Sequence, residues 1–136
     1  MSSVQVADQT FVAAPPAAIA AVVGDPRRWR AWFPRLAVTV TDDRGGKGVR
    51  WSVAGELVGT MEVWLEPSLD GAILHYFLHA EPTDRTASAP ALDRARRVAG
   101  KAMSFEIKAM LEAGRAPGEP PRHTASAPGT DPGVRS

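Results

Sequence analysis

The chain has 136 residues, of which 44% are hydrophobic and 23% are charged, and this composition is that of one ordinary globular domain. Sixteen basic residues against fifteen acidic ones leave a formal net charge of +1, which is too small to favour nucleic acid as a main partner. The absence of cysteine excludes disulfides, thiolate nucleophiles and cysteine-based metal sites.

The N-terminal residues 1–8 lack the basic flank and apolar run of a secretory signal. No apolar stretch reaches the ~20 residues that cross a bilayer. We therefore expect a cytoplasmic protein without stable membrane insertion. Frequent arginine, alanine, glycine and proline, together with the absence of asparagine, indicate a GC-rich genome such as that of an actinobacterium.

The first part of the chain reads as one strand followed by two short helices. Alternating apolar residues predict a strand at Val4 to Val12. The segment from Pro15 to Gly24 has prolines in its first turn, apolar residues at helical spacing and a glycine stop. Asp25 is suited to cap a second helix, which Pro34 ends. We expect the aromatic residues of this second helix to anchor it to the core.

From Leu36 to Ala80 the apolar residues recur with a period of two, which predicts an antiparallel meander. Turns are predicted at 42–46, at 54–56 and at the dipeptide Asp70-Gly71. The residues that share the predicted core face are Leu36, Val38, Val40, Val49, Trp51, Val53, Met61, Val63 and Leu65.

A two-residue turn at Asp70-Gly71 would fix the register of the last two strands. It would place Leu65 opposite Tyr76 and Val63 opposite Leu78 on the core face, and Glu66 opposite His75 and Glu62 opposite His79 on the outer face. Two histidines four residues apart on a strand are separated by about 13 Å, so they cannot share one ion. We expect neither a metal nor another cofactor.

A long amphipathic helix is predicted from Ala91 to Ala113. Its apolar face comprises Leu92, Ala95, Val98, Ala99, Ala102, Met103, Ala109 and Met110. The residues predicted to face solvent are Arg94, Arg96, Arg97, Lys101, Ser104 and Lys108. We divide the chain into a folded domain at 1–114 and a disordered tail at 115–136, because the tail lacks aromatic residues and is rich in proline and glycine.

The stretches 11–19, 24–29 and 32–34 resemble the opening of the START-like (SRPBCC, Bet v 1-like) superfamily, specifically its polyketide cyclase/dehydrase-like members. Residues 55–82 are similar to a compact actinobacterial subgroup. The resemblance implies an α+β helix-grip fold, in which a curved antiparallel sheet wraps around a long C-terminal helix and two short helices follow the first strand. Five predicted strands instead of the usual seven imply a smaller or more open cavity.

Seven residues form the candidate ligand-binding set: Trp51, Met61, Val63, Tyr76, Leu78, Met103 and Glu106. Apolar clefts with a few convergent polar groups are the usual sites for small molecules, although each of these residues is equally suited to ordinary packing. Glu106 falls among apolar residues on the helical wheel, so it either meets a donor inside or lies at the cavity mouth and reaches solvent.

The leading hypothesis is binding of a small hydrophobic molecule, a lipid or a polyketide-like metabolite, between sheet and helix. One alternative is a polyketide aromatase/cyclase or dehydratase in which Glu106 and Tyr76 do acid and base work. Another is a non-catalytic interaction module or homodimer that uses Trp64 and Phe77 on the outer face of the sheet.

Overall fold

The structure, a computed structural model, describes residues 2–113, so the predicted tail at 115–136 lies outside the described residues. The elements in chain order are β1 (Val4–Val12), α1 (Pro16–Val23), α2 (Pro26–Trp32), β2 (Leu36–Asp43), β3 (Gly48–Gly55), β4 (Leu57–Ser68), β5 (Gly71–Pro82) and α3 (Ala89–Glu112). A short 3-10 turn, Gly45–Lys47, joins β2 to β3. This is the predicted α+β helix-grip architecture.

The strands form a five-stranded sheet in the order β1-β5-β4-β3-β2, with every neighbouring pair antiparallel. The number of strands agrees with the sequence prediction for this part of the chain. Alternate residues of β3, β4 and β5 point to one face, where the core lies. Helices α1, α2 and α3 cover that face, so the core is a single layer between sheet and helices.

The two short helices form a strap that is anchored as predicted. The Asp25 carboxylate caps α2 by accepting a hydrogen bond from the Arg27 backbone N–H at 3.0 Å. The Trp29 indole N–H donates to the Val23 carbonyl at 2.8 Å. The rings of Trp29 and Phe33 meet the Trp51 ring edge-on, with centroids 5.6 and 5.4 Å away, so the strap is held on β3 by aromatic contacts.

The predicted register between β4 and β5 is wrong by two residues. Ser68 pairs with Gly71, so the turn consists of Leu69 and Asp70, and Leu69 takes a positive φ of 52°. Gly71 is the first residue of β5 and not part of the turn. Glycine is needed there because a Cβ would lie 2.1 Å from the Val12 carbonyl oxygen of β1. Val63 therefore lies opposite Tyr76, but a shift of two leaves every side chain on its predicted face.

The predicted buried face of α3 is correct at Met103 but wrong at several other positions. The buried residues are Arg96, Gly100, Met103, Ser104, Ile107 and Leu111. Val98, predicted to be inside, is 66% exposed, whereas Arg96 and Ser104, predicted to face solvent, are buried. The helix packs through its smallest side: a Cβ at Gly100 would lie 2.6 Å from Cε2 of Tyr76. Glycine thus allows the helix backbone to approach the sheet closely.

Charged side chains of α3 hold the outer edge of β1, which is an edge strand. Asp93 accepts a hydrogen bond from the Gln5 backbone N–H at 3.0 Å, and Arg97 donates to the Gln5 carbonyl at 2.7 Å. Further along, the contacts are Lys101 to the Gln9 carbonyl, Lys108 to the Phe11 carbonyl and the Ala13 backbone N–H to Glu112. These contacts satisfy backbone groups that an edge strand otherwise exposes. We call this set of contacts the edge clasp.

We expect Gly100→Ala to lower the free energy of unfolding. The new methyl group overpacks the contact with Tyr76, which costs about 1–3 kcal/mol, and exceeds the gain in helix propensity of about 1 kcal/mol. Gly46→Ala is the control, since a Cβ at that position meets nothing within 4 Å. Urea denaturation measures both variants, and a Gly100→Ala protein at least as stable as the wild type contradicts the close approach.

The edge clasp also predicts a dependence of stability on pH. The Gln5 backbone N–H, and then the Arg97 guanidinium, lower the pKa of Asp93 below its ordinary value of 3.8. A carboxylate with a lowered pKa in the folded state stabilises it above the unfolded pKa, and this contribution is lost as the pH falls through the folded value. Asp93→Asn should therefore be less stable than the wild type at neutral pH, with a difference that shrinks below about pH 4. A difference that does not change with pH contradicts this account.

Candidate functional site

Six of the seven candidate ligand-binding residues gather in the core between the sheet and α3. Each has a relative exposure of 2% or less; they are Trp51, Met61, Val63, Tyr76, Leu78 and Met103. Trp51 pairs with Met61 across β3 and β4, and Met61 pairs with Leu78 across β4 and β5, so the set spans the middle of the sheet. We call this region the sheet–helix interior.

Tyr76 lies at the centre of the sheet–helix interior. Its hydroxyl donates to the Met61 sulfur at 3.3 Å, which is a weak acceptor. Burial raises the pKa of the phenol, while the positive charge of Arg96 acts in the opposite direction. The phenol is therefore neutral at physiological pH and presents a hydrogen-bond donor that its protein surroundings satisfy only weakly.

Within residues 2–113, several buried polar atoms have no hydrogen-bond partner. Two of them, Asp8 Oδ2 and Arg28 Nε, belong to side chains that form ion pairs with Lys101 and Asp25. The other three are Trp51 Nε1, Arg96 Nε and Ser104 Oγ, and their side chains form no hydrogen bond or ion pair within residues 2–113. Unpaired buried polar groups are rare in folded proteins because each loses its hydration without replacement. All three can donate a hydrogen bond to a ligand.

Arg96 and Ser104 are functional candidates that the sequence reasoning missed. Both lie one helical turn from Gly100, so Arg96, Gly100 and Ser104 form one line along the buried side of α3. A helical wheel that assigns only apolar residues to the buried face places Arg96 and Ser104 on the solvent side of the helix. The signal that could have found it is the glycine within an otherwise regular helix, which usually has a packing reason.

Glu106 does not lie inside the sheet–helix interior. Its side chain is exposed, and it accepts a hydrogen bond from the indole N–H of the buried Trp32 at 3.2 Å. The expectation of a carboxylate within the apolar face is thus wrong, and the alternative position near solvent agrees with the structure. The contact joins the strap to α3, because Trp32 ends α2.

The outer face of the sheet carries the predicted aromatic pair, with a histidine between them. The Trp64 ring stacks on His75 at 4.5 Å, and His75 stacks on Phe77 at 6.1 Å. His75 Nε2 lies 2.9 Å from Glu66, as expected. Glu62, however, pairs with Arg44 at 2.8 Å and with Arg50 at 3.4 Å, so its predicted pairing with His79 is wrong.

The described residues offer neither a metal site nor a membrane span. Residues 2–113 contain no group of three or more histidine and carboxylate side chains placed to hold a metal ion. No helix in the same part of the chain has both the length and the apolar character needed to cross a membrane. A cleft of about 50 Å³ lies beside the 3-10 turn and is lined by Ala20, Val23, Gly24, Trp29, Val40, Asp43, Gly45, Gly48 and Val49. It includes none of the candidate ligand-binding residues.

The state of Tyr76 can be checked directly, because it is the one tyrosine in the sequence. We expect the folded protein to show little tyrosinate absorbance at about pH 11, where an ordinary phenol is mostly ionised. Since the unfolded state ionises first, stability should fall as the pH rises above about 10. The control is the same protein in guanidinium chloride. A native titration with an ordinary midpoint would show that Tyr76 is not desolvated.

No protein-family model and no curated protein sequence matches the chain. Among solved structures, it is similar to the Aha1 dimer from Colwellia psychrerythraea, with 15% identity, a TM-score of 0.61, and coverage of 83% of this chain and 99% of that one. It is also similar to CalU16 from Micromonospora echinospora, with 14% identity, a TM-score of 0.57, and coverage of 76% of this chain and 75% of that one. A third similar structure is the di-domain ARO/CYC StfQ from the steffimycin biosynthetic pathway, with 14% identity, a TM-score of 0.52, and coverage of 76% of this chain and 48% of that one. The chain therefore shares the helix-grip fold of these structures.

Proposed function

We propose that the protein binds a small hydrophobic molecule, a lipid or a polyketide-like metabolite, in the sheet–helix interior. The observation that carries this proposal is the set of buried donors without protein acceptors at Trp51, Arg96 and Ser104. A core that served packing alone gains nothing from such groups, since each is costly to bury unpaired. A ligand with acceptor oxygens would satisfy them.

The walls around these donors suit an apolar ligand. Leu78, Val63 and the Trp51 ring offer apolar surface, and burial of a ligand against it gains about 25 cal/mol per Å². Met61 and Met103 have flexible side chains that can change rotamer to make room for a ligand. The polar groups would then orient a molecule that is bound mainly by apolar contacts.

A ligand would enter where the strap meets α3. The hydrogen bond from Trp32 to Glu106 is the polar link between these elements, and Glu106 is exposed to solvent. Behind it, Phe33 contacts the Trp51 ring at the edge of the interior. Separation of α2 from α3 would open a path to Trp51 without breaking the sheet.

The catalytic alternative, an aromatase/cyclase or dehydratase, is weaker for this chain. Tyr76 is a neutral buried phenol and could act as an acid, but Glu106, its proposed partner, lies outside the interior. StfQ is described as an ARO/CYC, and this supports the catalytic alternative through the shared fold alone.

Whichever function holds, we also propose that the protein is cytoplasmic and comes from an actinobacterium.

A homodimer or partner contact through the outer face is a second candidate function. Trp64 is 38% exposed, although it stacks on His75, and Phe77 continues the same stack. Exposed aromatic groups of this kind occur in interaction surfaces. The similar Aha1 structure is described as a dimer.

Native mass spectrometry of freshly purified protein, before and after organic extraction, tests the proposal. We expect a bound small molecule that extraction removes and that Tyr76→Phe retains less well, because this variant loses a donor in the interior. Trp64→Ser on the outer face is the control and should retain the ligand fully. The same spectra report any dimer and whether Trp64→Ser weakens it. Protein that is empty, and that takes up nothing from a lipid extract, contradicts the proposed function.

A further inference from the structure

Arg96 is the feature of the interior that most restricts the ligand. The side chain is 5% exposed, and its Nε has no hydrogen-bond partner in the part of the chain that the structure describes. No carboxylate within residues 2–113 forms an ion pair with it, whereas Arg97 pairs with Asp93, Lys101 with Asp8 and Lys108 with Glu112. Arg96 is thus a largely buried side chain without a carboxylate partner in residues 2–113, on a helix whose cations at the edge of β1 are paired.

The groups around Arg96 do not supply a counter-ion. Gly100, one turn along α3, contacts the Tyr76 ring, and burial keeps the Tyr76 phenol protonated. Ser104, one turn beyond Gly100, is a neutral hydroxyl. Asp8, which lies opposite Tyr76 in β1, is a carboxylate, but it pairs with Lys101 at 2.9 Å. A carboxylate that reached the Arg96 guanidinium in this partly desolvated region would interact with it more strongly than in bulk water.

We infer that the ligand of the sheet–helix interior carries a carboxylate that pairs with Arg96. A guanidinium offers parallel donors that match the two oxygens of a carboxylate. One unpaired guanidinium balances one negative charge, whereas a phosphate monoester carries about −1.5 to −2 and would leave excess charge buried. This inference rests on the proposed function, since it names the chemical class of the molecule bound there.

Displacement of the neutral fluorescent probe N-phenyl-1-naphthylamine at pH 7 tests the inference. Decanoate is compared with decan-1-ol, and 2-naphthoate with 2-naphthalenemethanol, so that alkyl and aromatic carboxylates are distinguished. We expect at least one acid to bind about tenfold or more tightly than its alcohol. Equal affinities within both pairs would overturn the inference while leaving the proposed function intact. Failure of the probe and all four compounds to bind would overturn both.

Arg96→Met, which keeps length but removes the charge, should abolish the preference for the acid and leave alcohol binding unchanged or tighter. The matched control is Arg94→Met, which removes an exposed cation two residues away and should keep the preference. Without ligand, Arg96→Met should also melt at a higher temperature, since it replaces a largely buried guanidinium that has no carboxylate partner within residues 2–113 by an apolar side chain. An acid preference that survives in Arg96→Met, or a variant that is strongly destabilised or unfolded, would show that Arg96 serves the fold and overturn the inference.

Discussion

The close approach of α3 to the sheet at Gly100 is the constraint on which the rest of the structure depends. Because no side chain lies there, the helix backbone rests on the Tyr76 ring, and the residues one turn on either side, Arg96 and Ser104, are carried into the core. The same rotation brings the charged side of the helix to the edge of β1, where the edge clasp forms. Packing and polar contacts thus select one orientation of α3 together.

This orientation links the stability of the fold to the proposed function. The charged residues that reach β1 are paired and protect an edge strand, whereas Trp51 Nε1, Arg96 Nε and Ser104 Oγ have no hydrogen-bond partner within residues 2–113. A fold that stabilised itself alone would place apolar residues at these positions, as most cores do. The contrast between the satisfied edge and these three unpaired donors is the physical argument for the proposed ligand with acceptor oxygens, and Arg96 is the reason for proposing that this ligand carries a carboxylate.

Much of the fold could be predicted from the sequence because the local signals were strong. Period-two alternation marked the strands, and the cap at Asp25 marked the start of α2. The register of β4 with β5 could not be predicted, since Gly71 serves a close contact with Val12 instead of a turn. Of the proposed site, the sequence indicated the buried apolar residues but not Arg96 or Ser104. Arg96 was predicted to face solvent and is buried, whereas Glu106 was placed on the apolar face and is exposed. Both positions depend on the rotation of α3 about its axis, which tertiary packing fixes.

The most direct test of the account is the set of tryptophan indole N–H signals in a ¹H–¹⁵N NMR spectrum, recorded as decanoate or decan-1-ol is added. The sequence has four tryptophans, so the spectrum contains its own controls: Trp29 already donates to Val23, and Trp64 lies on the outer face. The account predicts that the signal of Trp51, buried without an acceptor, shifts on ligand addition while those of Trp29 and Trp64 stay in place. A titration in which Trp64 alone responds, or in which Trp51 remains unchanged at saturation, would contradict binding in the sheet–helix interior.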